Sequence, residues 1–315
     1  MGLNFGNLLG ALPGGVAQGI IWGIMALGIY ITFRLLNVSD LTVDGSFTTG
    51  GAVTVMLILA GVPSYLALVI AAFAGLLAGV ATGVLHTVFE IPAILAGILT
   101  QFALYSINLA IMGMSANKGI PVDKYFLFVT SRQVPRSIIM GLLLAALLIA
   151  QLYWYFGTQH GSAMRATGNN PEMSKAQGIN INTMKLIGLA LANGFVALAG
   201  GLLSQYQGFA DINMGRGAIV IGLAAVIIGE VLGNVLLGKR LNFMGRLAFV
   251  VLGGIIYYFV IVVVLWLKLD SNYLKLLTAV VVAIFLAVPN MQAKRRASFR
   301  MAGKRSLKNN KEADA

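Results

Sequence analysis

Long, unbroken apolar runs constrain this chain more than any other feature. In Ser137–Ala150, SIIMGLLLAALLIA, no charge interrupts the run and no polar residue alternates with the apolar ones. A barrel strand would alternate over about ten positions. Without water to satisfy peptide groups, a helix is the structure that bonds them within the segment. Hydrophobic residues make up 58% of the 315 and charged residues only 10%, against about 25% charged in a soluble domain. Too little charge is present to wet a surface of this size. The expected fold is an all-α integral membrane protein. A span takes roughly 20 apolar residues. On that measure helices are expected near 12–36, 46–61, 63–86, 91–112, 136–157, 184–204, 217–237, 244–267 and 274–289. That is about nine transmembrane helices (8–10). The second and last are short, as suits a broken helix packed inside protein.

The net charge of +12 resides largely at the end of the chain, where eight Lys and Arg lie between Lys294 and Lys311. In a soluble protein such an excess suggests nucleic acid; here it suggests a topology anchor beside anionic lipid, and no nucleic-acid partner is expected. Residues 1–290 are read as the transmembrane domain and 291–315 as a basic, disordered cytoplasmic tail. Lys and Arg favour the cytoplasmic side. With the C-terminus inside and the N-terminus outside, 15 of them fall inside and 7 outside; the tail makes the difference. The apolar start lacks a basic region and a cleavage site, and reads as mature chain.

Several chemistries are excluded. Without cysteine there are no disulfides or thiolate ligands, and His86 and His160 alone make a histidine zinc site improbable. Gly233-Asn-Val-Leu-Leu-Gly238-Lys239-Arg240 fits the start of a phosphate-binding loop. However, Arg240 replaces the magnesium-binding hydroxyl and the run leaves an apolar helix instead of a strand. The chain itself should not hydrolyse ATP, and no cofactor is expected.

Acids within apolar spans are costly and draw attention. Asp44 reads either as a pathway or gate residue or as the partner of a neighbouring helix. Ser39 or Asp40 reads as a helix cap, with Asp40 paired to Arg34. Glu90, before Ile91-Pro92, reads as a cap at a helix start. Glu230, the most deeply placed acid, needs a partner inside the bundle and reads equally as structural or pathway-lining. Gln101, Asn108 and Asn193 either line a path or bond helix to helix. Asp211, with Gln207 in an outer polar and aromatic turn, either shapes that turn or faces an external partner or the pathway mouth. The longest outer connection is 113–135. The longest inner one, 158–183, holds a short helix that Asn170 caps, Pro171 starts and Gly178 ends.

Asp40-Leu-Thr-Val-Asp-Gly-Ser-Phe47, Leu104-Tyr-Ser-Ile-Asn-Leu-Ala-Ile-Met-Gly113, and Ala190-Leu-Ala-Asn-Gly194 through Ile228-Gly-Glu230 resemble ABC importer permeases of the branched-chain amino acid and ribose-type family. The branch they resemble most is often labelled as tryptophan/tyrosine transport permeases. The loop from Arg165 to Gly178 is similar to that family's coupling helix, with Arg165, Asn169, Pro171, Glu172 and Gly178 as the contacts. The resemblance implies two permease copies around one pathway, separate ATPase subunits that bind the ATP, and an extracytoplasmic substrate-binding protein, in a bacterial inner membrane. Asp44, Ser46, Phe47, Gln101, Asn108, Asn193 and Glu230 are the expected lining or gate of the pathway, and Gln207 and Asp211 the expected contacts of the binding protein. A small solute, an amino acid or an aromatic relative, is the expected cargo. The competing expectation is an ion-coupled secondary transporter, with Asp44 and Glu230 as coupling acids.

Overall fold

The computed structural model describes residues 5–238 and 241–267, with single residues 276, 279, 280 and 283 beyond them. Eight apolar helices are present there: α1 (Phe5–Ile29), α2 (Val43–Leu59), α3 (Ser64–Thr87), α4 (Ala93–Ile111), α5 (Val134–Gly157), α8 (Ile181–Gln207), α9 (Ala218–Leu236) and α10 (Phe243–Trp266). Among the described residues seven helical stretches are long and apolar enough to cross a bilayer; α2, with 17 residues, is the short one. The eight expected spans that fall on described residues are therefore helices, and the multi-pass, all-α membrane fold holds. The ninth, 274–289, and the tail 291–315 lie outside the described residues.

Lipid gives apolar helices no reason to associate, so close packing must come from shape. Glycines supply it by letting backbones touch. A Cβ on Gly19 or Gly23 would stand 2.6 Å from Ile255 Cα or 2.9 Å from Val251 Cα, which sets α1 antiparallel to α10. Gly253 lies on the Ala225 carbonyl and Gly229 on that of Phe249, which joins α10 to α9. Gly75 and Gly79 lie on the α8 backbone at Asn193 and Leu189. Gly50 meets the Ala197 carbonyl, and Gly200 meets that of Phe47. The windows of α1 and α8 that match a span are 83% and 78% buried, against 28–39% for the other long helices. These two form the centre, while α4 and α5 turn Phe102, Leu143 and Leu147 outward.

α1 does not end cleanly. It passes into a π-helix, Tyr30–Leu35, where Leu36 N–H reaches back to the Ile31 carbonyl at 3.0 Å. Wide turns of this kind interrupt the regular ladder and cluster at functional positions. At the opposite end of the bundle, β1 (Asn117–Gly119) pairs antiparallel with β2 (Phe209–Asp211), Lys118 facing Ala210. Buried Gln205 fastens this end: it donates to the Ser64 carbonyl at 3.1 Å and accepts from Phe128 N–H at 2.9 Å.

The connection after α5 folds into two helices, α6 (Gln159–Asn169) and α7 (Pro171–Ala176). α7 has the expected boundaries. Asn170 Oδ1 accepts from Met173 N–H at 3.1 Å, Pro171 opens the first turn, and Gly178 follows at φ +79°. α6 has no counterpart among the expected elements, because Gly161 and Gly168 lower its helix propensity. Both glycines serve contact instead: Gly161 rests on the backbone of Tyr155 and Phe156, and Gly168 on the Leu35 carbonyl.

Candidate functional site: a polar core and the cavity beside it

The segment between the π-helix and α2 gathers the acids. Asp40 is 3% exposed. Its carboxylate accepts from Asn193 Nδ2 at 2.7 Å and from Thr42 N–H at 2.9 Å. Asn193 in turn accepts from the Ser46 hydroxyl at 2.6 Å and donates to the Leu189 carbonyl at 2.9 Å. Thr42 and Thr82 hydroxyls meet at 2.7 Å. A buried polar group needs such partners or costs the bundle dearly. This chain of bonds ties the start of α2 to α8 and α3.

The expected Asp40–Arg34 pair does not form. The π-turn leaves Arg34 at a half-exposed rim, where Arg34 Nε meets Glu230 Oε1 at 2.7 Å, whereas Asn193 draws Asp40 into the core. Glu230 thus has its partner, at the α6 end of the bundle. Glu90 is also not a cap. Pro92 occupies the cap position of α4, and Glu90 is exposed at φ +57°.

Asp44 stands in the first turn of α2, yet its carboxylate accepts from the N–H groups of Gly217 and Ile219 at 2.9 and 3.0 Å. It caps α9 from another helix. The Gly217 residue before α9 has φ +86° and no side chain, so the usual side-chain cap is missing there, and Asp44 supplies the acceptor. Thr48 Oγ1 adds a bond from Gly215 N–H at 3.2 Å. The loop 212–217 is thereby held against α2.

Beside this junction lies a cavity of about 390 Å³, lined by Asp44, Gly45 and Thr48 of α2, Gln101, Phe102, Tyr105 and Asn108 of α4, and Ile212 and Arg216 of the loop. Asn108 is 1% exposed; its Nδ2 reaches the Gly45 carbonyl at 3.4 Å, and its Oδ1 has no hydrogen-bond partner among the described residues. Three of the residues singled out from sequence, Asp44, Gln101 and Asn108, line one space. Ser46, Phe47 and Asn193 do not: each is fully enclosed by helix contacts. Phe102, Tyr105, Thr48 and Arg216 were not anticipated. The spacing of Gln101, Tyr105 and Asn108, one helix face at i, i+4 and i+7, was the available signal.

At the strand end, Asp211 Oδ1 accepts from Asn213 N–H at 2.7 Å, a local turn bond, and Gln207 is exposed. Across the bundle, α7 exposes Pro171, Glu172, Met173 and Lys175. Arg165 donates to the Phe156 carbonyl at 2.9 Å, and Asn169 stands at the end of α6. Among the described residues no group of three or more His, Cys, Asp or Glu is placed to hold a metal ion.

Residues 12–289 match the family model described as branched-chain amino acid transport system / permease component. The chain is 36% identical over 276 residues to a tyrosine transport system permease protein of Clostridioides difficile (strain R20291), covering 88% of this chain and 90% of that one. It is 33% identical over 274 residues to an uncharacterized protein of Rickettsia prowazekii (strain Madrid E), covering 86% and 94%. An autoinducer 2 import system permease protein of Yersinia pseudotuberculosis (strain IP 31758) is 30% identical over 196 residues, or 62% of this chain and 54% of that one. No solved structure matches.

Proposed function

The chain belongs to the family of branched-chain amino acid transport permease components, and from that premise we propose that it is the membrane subunit of an ATP-driven importer for a small amino acid-like solute. Two copies enclose one pathway in the bacterial inner membrane, with the N-terminus outside and the C-terminus in the cytoplasm. Separate ATPase subunits bind ATP, and an extracytoplasmic binding protein delivers the solute. The permease needs no cofactor of its own.

One observation carries the reading. α7 is a rigidly capped, exposed helix carried on α6, and α6 abuts the chain where the π-helix ends. Gly168 touches the Leu35 carbonyl, and Leu36 in turn fills the space over Gly188 of α8. A push on α7 therefore reaches, within a few contacts, the segment that bears Asp40 and leads to α2. Arg165, Asn169, Pro171, Glu172 and Gly178 form the face that docks on the ATPase. Asp44, Gln101 and Asn108 line the pathway. Ser46, Phe47 and Asn193 act as the hinge of its gate, and Glu230 with Arg34 closes its α6 end. Gln207 and Asp211 receive the binding protein at the strand end.

The test is uptake by proteoliposomes holding the permease with its ATPase and binding protein. Glu172→Arg and Gly178→Pro should each abolish ATP-dependent uptake while leaving the permease folded by circular dichroism. Normal uptake by both variants removes the docking assignment. Uptake by the permease alone, collapsed by a protonophore, would instead establish the ion-coupled transporter.

A further inference from the structure

Three arginines from three elements meet at the α6 end of the bundle. Arg34 of the π-helix, Arg165 of α6 and Arg246 near the start of α10 line one cavity of about 490 Å³, with Gly168 and Asn169 beside them. Tyr30, which is buried, sets its hydroxyl beside Arg246. Arg34 has Glu230 as its partner, whereas Arg165 and Arg246 form no ion pair among the described residues. Like charges gathered at the edge of a low-dielectric bundle repel one another, and a bound anion would relieve that repulsion. Arg165 is also fixed in place: its Nη2 donates to the Phe156 carbonyl at 2.9 Å, and the guanidinium lies 5.6 Å over the Phe243 ring. A guanidinium carries five donors in a planar fork that matches phosphate oxygens.

A second cavity, of about 720 Å³, shares Arg165 and is walled by Tyr153, Trp154, Phe156 and Phe243. Trp154 is 72% exposed and Tyr153 52%, and both lie near the end of α5, which is long and apolar enough to cross a bilayer. Aromatic side chains at the end of a span sit at headgroup level. A soluble anion would need the arginine cavity alone. A molecule with an anionic head and an apolar body fits both cavities at once.

We infer that the two cavities together bind an anionic phospholipid, with its phosphodiester against Arg165 and Arg246 and its glycerol and upper chains along Trp154 and Phe243. Zwitterionic lipid is disfavoured, because it would bring its own cation to the same guanidinium groups. A bound headgroup ties the π-helix, α6 and α10 together, and so stiffens the junction at which Gly168 touches the Leu35 carbonyl. This is a discrete site, unlike the diffuse attraction of the basic tail to an anionic surface. The inference requires the membrane-spanning fold and does not depend on the import reading.

The experiment is fluorescence quenching of the full chain in phosphatidylcholine nanodiscs, into which phosphatidylglycerol or phosphatidylcholine with brominated acyl chains is titrated. Trp154 is one of three tryptophans, and subtracting the signal of a Trp154→Phe variant isolates it. Brominated phosphatidylglycerol should quench Trp154 at a lower mole fraction than brominated phosphatidylcholine. Arg246 is exposed and belongs to neither the docking face nor the gate. Arg246→Gln should raise the phosphatidylglycerol fraction needed for half-quenching about fivefold, the loss expected for one basic residue near an anionic surface. Arg246→Lys, which keeps the charge, should retain most of the preference. Equal quenching by the two lipids in the wild type overturns the inference. So does an Arg246→Gln variant that keeps the wild-type preference, since the tail would then be gathering the lipid. Displacement of brominated phosphatidylglycerol by millimolar inorganic phosphate also overturns it, and gives the arginine cavity to a soluble phosphate instead.

Discussion

Replacing Asp44 by alanine should unfasten the start of α9. Two N–H groups, of Gly217 and Ile219, lose their acceptor at 2.9 and 3.0 Å. Hydrogen bonds to a charged group are worth about 1.5–3 kcal/mol each, and the partial exposure of Asp44 places them at the low end. The carboxylate also loses its attraction to the helix N-terminus, about 0.3–1 kcal/mol. Together these give a loss of roughly 3–4 kcal/mol for Asp44→Ala. Asp44→Asn keeps one carbonyl acceptor and the shape, and should lose about half as much. The assay is unfolding of the full chain in mixed micelles by titration with a denaturing detergent, followed by tryptophan fluorescence. Amide hydrogen exchange gives a local check: the amides of Gly217 and Ile219 should open more readily in the alanine variant while those of α3 stay protected. A stability of Asp44→Ala within about 0.5 kcal/mol of wild type, the range of a neutral surface change, would refute the cap. So would equal losses for the alanine and asparagine variants.

Two other perturbations probe the bundle. Asn193→Leu keeps the volume but leaves the Asp40 carboxylate without its side-chain donor and the Ser46 hydroxyl without its acceptor; it should cost about 3 kcal/mol or more, and adding Asp40→Leu should restore part of that loss in a double-mutant cycle. Gly200→Ala would drive a methyl into the Phe47 carbonyl and should destabilise by about 1–3 kcal/mol, whereas Gly10→Ala, with nothing within 4 Å, should be neutral or slightly stabilising by the same detergent titration.

Spans were legible because the requirement is local: about twenty apolar residues suffice, and the short α2 was visible as a short run. Caps of the Asn170 kind were legible for the same reason, since acceptor, proline and glycine lie within nine residues of one another. Partners were not. Arg34 and Glu230 meet across nearly two hundred positions, and a nearer acid, Asp40, offered a plausible but wrong match. Asp40 itself belongs to Asn193, whose amide could be read as lining or as glue until helix packing decided. The residues of the cavity split along the same division: Asp44, Gln101 and Asn108 stand out as polar groups in apolar helices, while Phe102 and Arg216 become part of it only when α4 and the loop come together.

The glycine contacts have a hereditary consequence. Where hydrogen is the one substituent that fits, as at positions 50, 75, 79, 200 and 253, the code offers natural variation no second option. The outward face of α5, with Leu143 and Leu147, asks by contrast only for oiliness. A saturation screen for working transporters should therefore return a map in which the most intolerant sites bear no side chain at all.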